Sequence, residues 1–183
     1  MFRVLLVLLL FAPVVALAQD GDGSTPETGL IHEPPMTMAR LGRIVQALDP
    51  DVVARGPALE FTLEDIPVIV IADARADRMR AMVPIASADG LKEADLMRLM
   101  QANFDAALDA RYAVAHGKLW GVFIHPLSPL GKDEFLSGLV QTITVARTYG
   151  TGYTGGGAVF GGGDSNQIYR ELLEKLRKKG EPL

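Results

Sequence analysis

The chain contains no cysteine. No disulfide can therefore form, no thiolate can serve as nucleophile or zinc ligand, and a lipid-bearing cysteine is excluded as an anchor. Histidine is scarce too, with His32, His116 and His125 lacking the local spacing of a zinc site. No Gly-x-Ser-x-Gly turn is present, so the sequence carries no signature of an activated serine. Beyond residue 18 no apolar run approaches the ~20 residues a spanning helix needs. The net charge is −4, and loss of Arg3 with a leader makes the remainder more acidic still. A body of that sign argues against nucleic acid as partner.

What is present begins with a secretory leader at residues 1–18. Arg3 is its positive end, Val4 to Phe11 its apolar core, and Ala16-Leu17-Ala18 a small-x-small cleavage site. The run is short for an uncleaved anchor and holds Pro13. The mature chain is expected to start at Gln19 and to reach the periplasm. Residues 19–35 read as a disordered acidic linker, with Asp20, Asp22, Glu27 and Glu33 and no basic residue.

The centre of the pattern is Phe61 to Ile85, apolar segments separated by short polar breaks, as in an antiparallel meander. Strands are predicted over Ala58–Leu63, Val68–Ala72, Arg78–Ile85, Tyr112–Ala115 and Lys118–Pro126. The apolar run Val68–Ala72 suits a central strand. Pro84, which cannot donate to a ladder, belongs at a strand end or an edge. His116-Gly117 has the composition of a tight hairpin turn. Helical periodicity predicts a first helix from Thr37 to Asp49, with Arg40 and Arg43 away from its apolar stripe. A second, the longest, runs from Lys92 to Arg111, with Met97, Met100, Phe104, Ala107, Leu108 and Arg111 near one face. A third spans Lys132 to Tyr149, with a stripe of Leu136, Leu139, Val140, Ile143 and Ala146. The expected domain is α+β over residues 36–149, in the order α-β-β-β-α-β-β-α. Residues 150–163, with eight glycines, read as a Gly-rich linker. An amphipathic C-terminal helix follows at 164–183, too weak alone and expected to dock on the domain or on a partner.

This order, together with Asp77-Arg78-Met79-Arg80 opening the third strand, Ala110-Arg111-Tyr112-Ala113-Val114 and Lys118-Leu119-Trp120, resembles the YbjN-type family. That family shares the Tir-chaperone-like fold of type III secretion chaperones. The resemblance covers the core without either tail. It implies a twisted antiparallel sheet with packed helices, often a homodimer, and no enzymatic activity. The chaperones of that fold are cytoplasmic and hold extended client segments on apolar surface, whereas this chain carries a leader.

The remaining chemistry is thin. Gly150-x-Gly152-x-x-Gly155 matches a dinucleotide fingerprint only in letters, since a helix precedes it and more glycines follow. Asp105 and Asp109, an i, i+4 pair, read as a solvated helix face. Asn103 falls between Met100 and Phe104 and either bonds at an interface or turns outward. The basic end Lys175–Lys179 is able to touch anionic lipid, but it also suits a solvated helix terminus, which is favoured. No cofactor, metal or catalytic residue is assigned. The expected function is an exported, non-enzymatic protein-binding module, chaperone-like or adaptor, acting on a protein client or on itself as a homodimer. The residues expected to meet a partner are Met97, Phe104, Trp120, Phe123, Tyr153 and Phe160. The alternative is a small envelope hydrolase or metal-dependent enzyme in which His116 or His125 meets carboxylates in a cleft.

Overall fold

The computed structural model describes residues 33–105, 108–149 and 164–179, side chains 105 and 164–168 excepted. It is α+β, with a six-stranded antiparallel sheet and four helices. In chain order these are α1 (Met38–Leu48), β1 (Val53–Arg55), β2 (Ala58–Leu63), β3 (Ile66–Asp73) and β4 (Arg78–Ser87). They continue with α2 (Glu93–Asp105), β5 (Arg111–Ala115), β6 (Lys118–Pro126), α3 (Lys132–Arg147) and α4 (Asp164–Lys179). The strands lie side by side as β1-β2-β3-β4-β6-β5. The expected order holds, with β1 as an addition: three exposed residues paired to β2, too short to show alternation.

Tight turns set the register. Glu64 and Asp65 both take positive φ, 50° and 64°, and close β2 onto β3. His116 and Gly117 do the same between β5 and β6, at 51° and 69°. Two consecutive left-handed residues give the turn twist that matches paired strands. The β3–β4 ladder ends at Ile69↔Met82. Two steps further, the same register would oppose Pro67 to Pro84, and neither can donate a hydrogen bond. Beyond that point β4 pairs with β6 alone, through an irregularity between Pro84 and Ala86. Pro84 thus occupies a local edge inside a strand that runs on to Ser87.

The core lies on one face of the sheet. Leu59, Phe61, Leu63, Val68, Val70, Met79, Ala81, Val83 and Phe123 point there from the strands. α1 brings Leu41, Ile44 and Val45, and α3 brings Phe135, Leu136, Leu139, Val140 and Ile143. The α3 stripe is the predicted one, extended by Phe135. α3 crosses β6 closely, because a Cβ on Gly138 would stand 2.5 Å from the Phe123 ring. α4 completes this layer with Leu172, Leu173 and Leu176 in the same core. Lys175 pairs with Glu64 at 2.5 Å and Arg177 with Asp133 at 2.8 Å.

Two expectations are corrected. Arg40 is buried: its guanidinium bonds Glu33 at 2.5 Å and the Pro34 carbonyl at 2.7 Å. α2 ends at Asp105, and Arg111 belongs to β5, opposite Val122. The intervening Asp109 and Ala110 N–H groups are taken by the Gln141 side chain of α3, at 2.7 and 3.1 Å. A helix running through to Arg111 would have bonded them to its own carbonyls.

Candidate functional site

α2 follows β4 and packs against β5, at one end of the sheet. Its inward residues are Leu99, 4 % exposed, and Asn103. Asn103 meets the β5 backbone at both polar atoms: Oδ1 accepts from Tyr112 N–H at 2.7 Å, and Nδ2 donates to Tyr112 O at 3.1 Å. One amide thus makes the two bonds that a neighbouring strand would make. Tyr112 is held on its other end, where its hydroxyl donates to the Val145 carbonyl at 2.8 Å.

Leu99 is enclosed and Asn103 is bonded to β5, while the apolar arc of α2 is left exposed. Met97 is 64 % exposed, Met100 59 % and Phe104 77 %, with Leu96 beside them. On 3.6-residue geometry Leu96, Met97, Met100 and Phe104 fall within about one third of the circumference. The stripe therefore exists where the spacing put it, beside the Leu99 and Asn103 side of the helix and turned to solvent.

The second exposed apolar surface is the face of the sheet turned from the core. Strand register places Ile69, Ile71, Met82, Pro84, Trp120, Val122 and Ile124 on it. Ile71 and Ile124 are exposed and the others are half-buried or nearly so. Among the described residues no helix packs against this face. At its β3–β4 end, Ile71, Asp73, Arg78, Arg80 and Ile124 surround a shallow hollow of about 420 Å³.

Of the six residues expected to meet a partner, Met97 and Phe104 are on the exposed α2 arc. Trp120 is half-buried on the open sheet face, its Nε1 donating to the Ala115 carbonyl at 3.0 Å and Lys118 Nζ 5.9 Å from its ring. Phe123 is a correction: it lies in the core, 4 % exposed, because its strand parity is that of Leu119 and Gly121. Tyr153 and Phe160 lie outside the described residues, as do His32 and the glycines of the dinucleotide-like pattern. The alternation of Leu59, Phe61 and Leu63 with Glu60 and Thr62, and the outward Arg78 and Arg80, already read as a sheet with one wet side, but Val68–Ala72, apolar throughout, hid how apolar that side is.

Neither geometry nor electrostatics assembles a catalytic centre from the named histidines. His116 is in the β5–β6 turn and His125 near the far end of β6, about 30 Å apart at strand rise. His125 stacks on Phe123, ring centroids 5.9 Å apart. Among the described residues no three histidine or carboxylate side chains converge to hold a metal ion. Asp109 is no longer on a helix face with Asp105, since α2 has ended before it. The carboxylates with shifted titration are structural. At Asp77, Ser128 N–H and Oγ bond the two oxygens at 2.7 and 2.9 Å and hold the carboxyl below its usual range. Burial works to raise Glu33, but the Lys132 N–H at the start of α3 and the Arg40 guanidinium outweigh it, and the net direction is down. The Lys175 bond lowers Glu64 against a smaller desolvation. In the basic stretch of α4, Lys175 and Arg177 are tied to Glu64 and Asp133. Among the described residues no helix is long and apolar enough to cross a membrane.

No family model matches the chain, and no curated protein matches it. Among solved structures, the crystal structure of the ExsC–ExsE complex is similar at a TM-score of 0.40 and 16% identity, over 49% of this chain and 71% of that one.

Proposed function

We propose that this chain is a non-enzymatic protein-binding module of the bacterial envelope, chaperone-like or adaptor in role and related to the YbjN-type family. The observation that carries the binding role is α2. Its apolar arc of Leu96, Met97, Met100 and Phe104 is turned to solvent, while Leu99 is enclosed and Asn103 bonds the β5 backbone. Leaving that much methionine and aromatic surface wet opposes stability, and contiguous exposed apolar surface of this kind marks interaction sites. Methionine-rich surfaces also adapt to varied partners. The partner is a second copy of the chain or a client protein. The envelope assignment is supported by Arg3, the apolar run Val4–Phe11 and Ala16-Leu17-Ala18.

The test is the solution mass of Gln19–Leu183 by light scattering, beside Met97→Asp/Phe104→Asp. Both positions are exposed, so the variant retains its fold by circular dichroism. A dimer that becomes a monomer in the variant assigns self-association to α2. A monomer in both forms shifts the partner to a client, read by a photocrosslinking residue at position 104 in cells. Absence of both a dimer and a crosslinked adduct overturns the binding role. Recovery of an uncleaved chain from the cytoplasm removes the envelope assignment. Truncation after Gly150 is a poor test, since it strips Leu172, Leu173 and Leu176 from the core.

A further inference from the structure

The chain holds sulfur only as methionine, with seven methionines and no cysteine. A cysteine thiolate would compete for an oxidant, and here none does. Of the methionines beyond residue 18, Met36 and Met79 are enclosed in the core, 2 % and 1 % exposed. Met38 packs against that core, and Met82 is half-buried between Ile69 and Val122 on the open sheet face. Among the described methionines only Met97 and Met100 are open to solvent, 64 % and 59 % exposed. They stand at i and i+3 on α2, neighbours on one face, with Phe104 one turn further on. The two methionines most open to an oxidant are thus two of the four side chains of the apolar arc.

Resting on the reading of α2 as a binding surface, we propose that Met97 and Met100 form a reversible oxidation switch on that surface, thrown by hydrogen peroxide. Each thioether sulfur attacks one oxygen of the peroxide with a lone pair. The O–O bond breaks, an S–O bond forms, and the departing oxygen leaves as water after proton transfer. The sulfur is oxidised by two electrons and the peroxide is reduced. The apolar side chain becomes a polar, chiral sulfoxide. On the free helix the new oxygen is hydrated, so the unbound chain tolerates it. At a dry interface it is buried without a donor, which opposes binding. The arc is adhesive when reduced and hydrated when oxidised. The core is spared, because an oxidant reaches Met36 or Met79 only after local opening. Methionine sulfoxide reductases, one for each sulfoxide epimer, return the sulfur to the thioether.

In the experiment, Gln19–Leu183 is treated with hydrogen peroxide and mapped by peptide mass, with its solution mass and the crosslinked adduct at position 104 read before and after. Met97 and Met100 are expected to gain one oxygen each, at least about tenfold faster than Met36 and Met79, with unchanged circular dichroism. The dimer, or the adduct of a monomeric chain, then weakens about tenfold or more, the scale of a buried polar group left unpaired. Reductase treatment restores it. Met97→Leu/Met100→Leu keeps the arc apolar without sulfur, so the association it shows, whatever its strength, is the same before and after peroxide. Equal oxidation of exposed and enclosed methionines overturns the proposal, as does an oxidised parent chain that keeps its dimer or adduct. Both results leave the binding role of α2 standing. A loss that the reductases do not reverse, or one that the leucine variant shares in full, also overturns it and moves the lesion to another side chain. Absence of both dimer and adduct before any peroxide removes the binding role, and the switch with it.

Discussion

α2 and α3 are amphipathic helices of similar length, and they end in opposite situations. α3 has Phe135, Leu136, Leu139, Val140 and Ile143 fully enclosed. Its first turn is fixed by Glu134 reaching back to Gly131 N–H at 2.9 Å and by Glu33 on Lys132 N–H. Gln141 ties its middle to the chain before β5, and Ser137 reaches the Tyr169 hydroxyl at 2.6 Å. α2 has one buried leucine and one asparagine. The contrast teaches that apolar periodicity identifies a helix with a dry side, but does not say what dries it. On α3 the sheet does. On α2 no described residue does, and an element held by few buried contacts opens at low free-energy cost.

The comparison is broken most forcefully by paired truncations. Phe135→Ala is expected to cost about 3–5 kcal/mol in a urea titration, the range for emptying an aromatic core site. Next comes Gln141→Leu, which strands the Asp109 and Ala110 N–H groups. A loss of about 1–3 kcal/mol is expected. A third, smaller effect sharpens the electrostatic side. Glu33 and Glu64 titrate below their ordinary value in the folded chain, so each contributes stability that is fully present above the unfolded glutamate value, roughly 4.3. That contribution is lost as pH falls through the lower folded value. Urea midpoints between pH 7 and pH 3 therefore drop for the parent chain, and drop less for Glu33→Gln. The smallest effect belongs to α2: Phe104→Ala is expected to stay within about 0.5 kcal/mol of the parent. A loss as large as that of Phe135→Ala would show that Phe104 is buried in solution and end the comparison.

Much of the fold was legible because local chemistry specified it. Ala58–Leu63 and Lys118–Pro126 alternate cleanly, and His116-Gly117 suits only a tight turn. The α3 stripe is long enough to define its own face. What was not legible depends on distant partners. Arg40 is buried because Glu33 and the Pro34 carbonyl receive it, and no periodicity shows that. The end of α2 is set by Gln141, more than thirty residues away in sequence. Met97 and Phe104, expected to meet a partner, are exposed on α2, whereas Phe123, grouped with them, is in the core, because hydrophobicity alone does not give strand parity.

Asn103 carries a consequence of its own. By occupying both backbone groups of Tyr112, its amide takes bonds that an incoming strand would need at the β5 edge. Extension of the sheet there requires those two bonds to break, and breaking them unseats α2. Growth of the sheet at β5 and a docked α2 are thus mutually exclusive states, with one side chain as the interlock between them. A chain that loses this amide exposes a strand edge next to the apolar arc of α2, the combination that turns specific pairing into uncontrolled assembly.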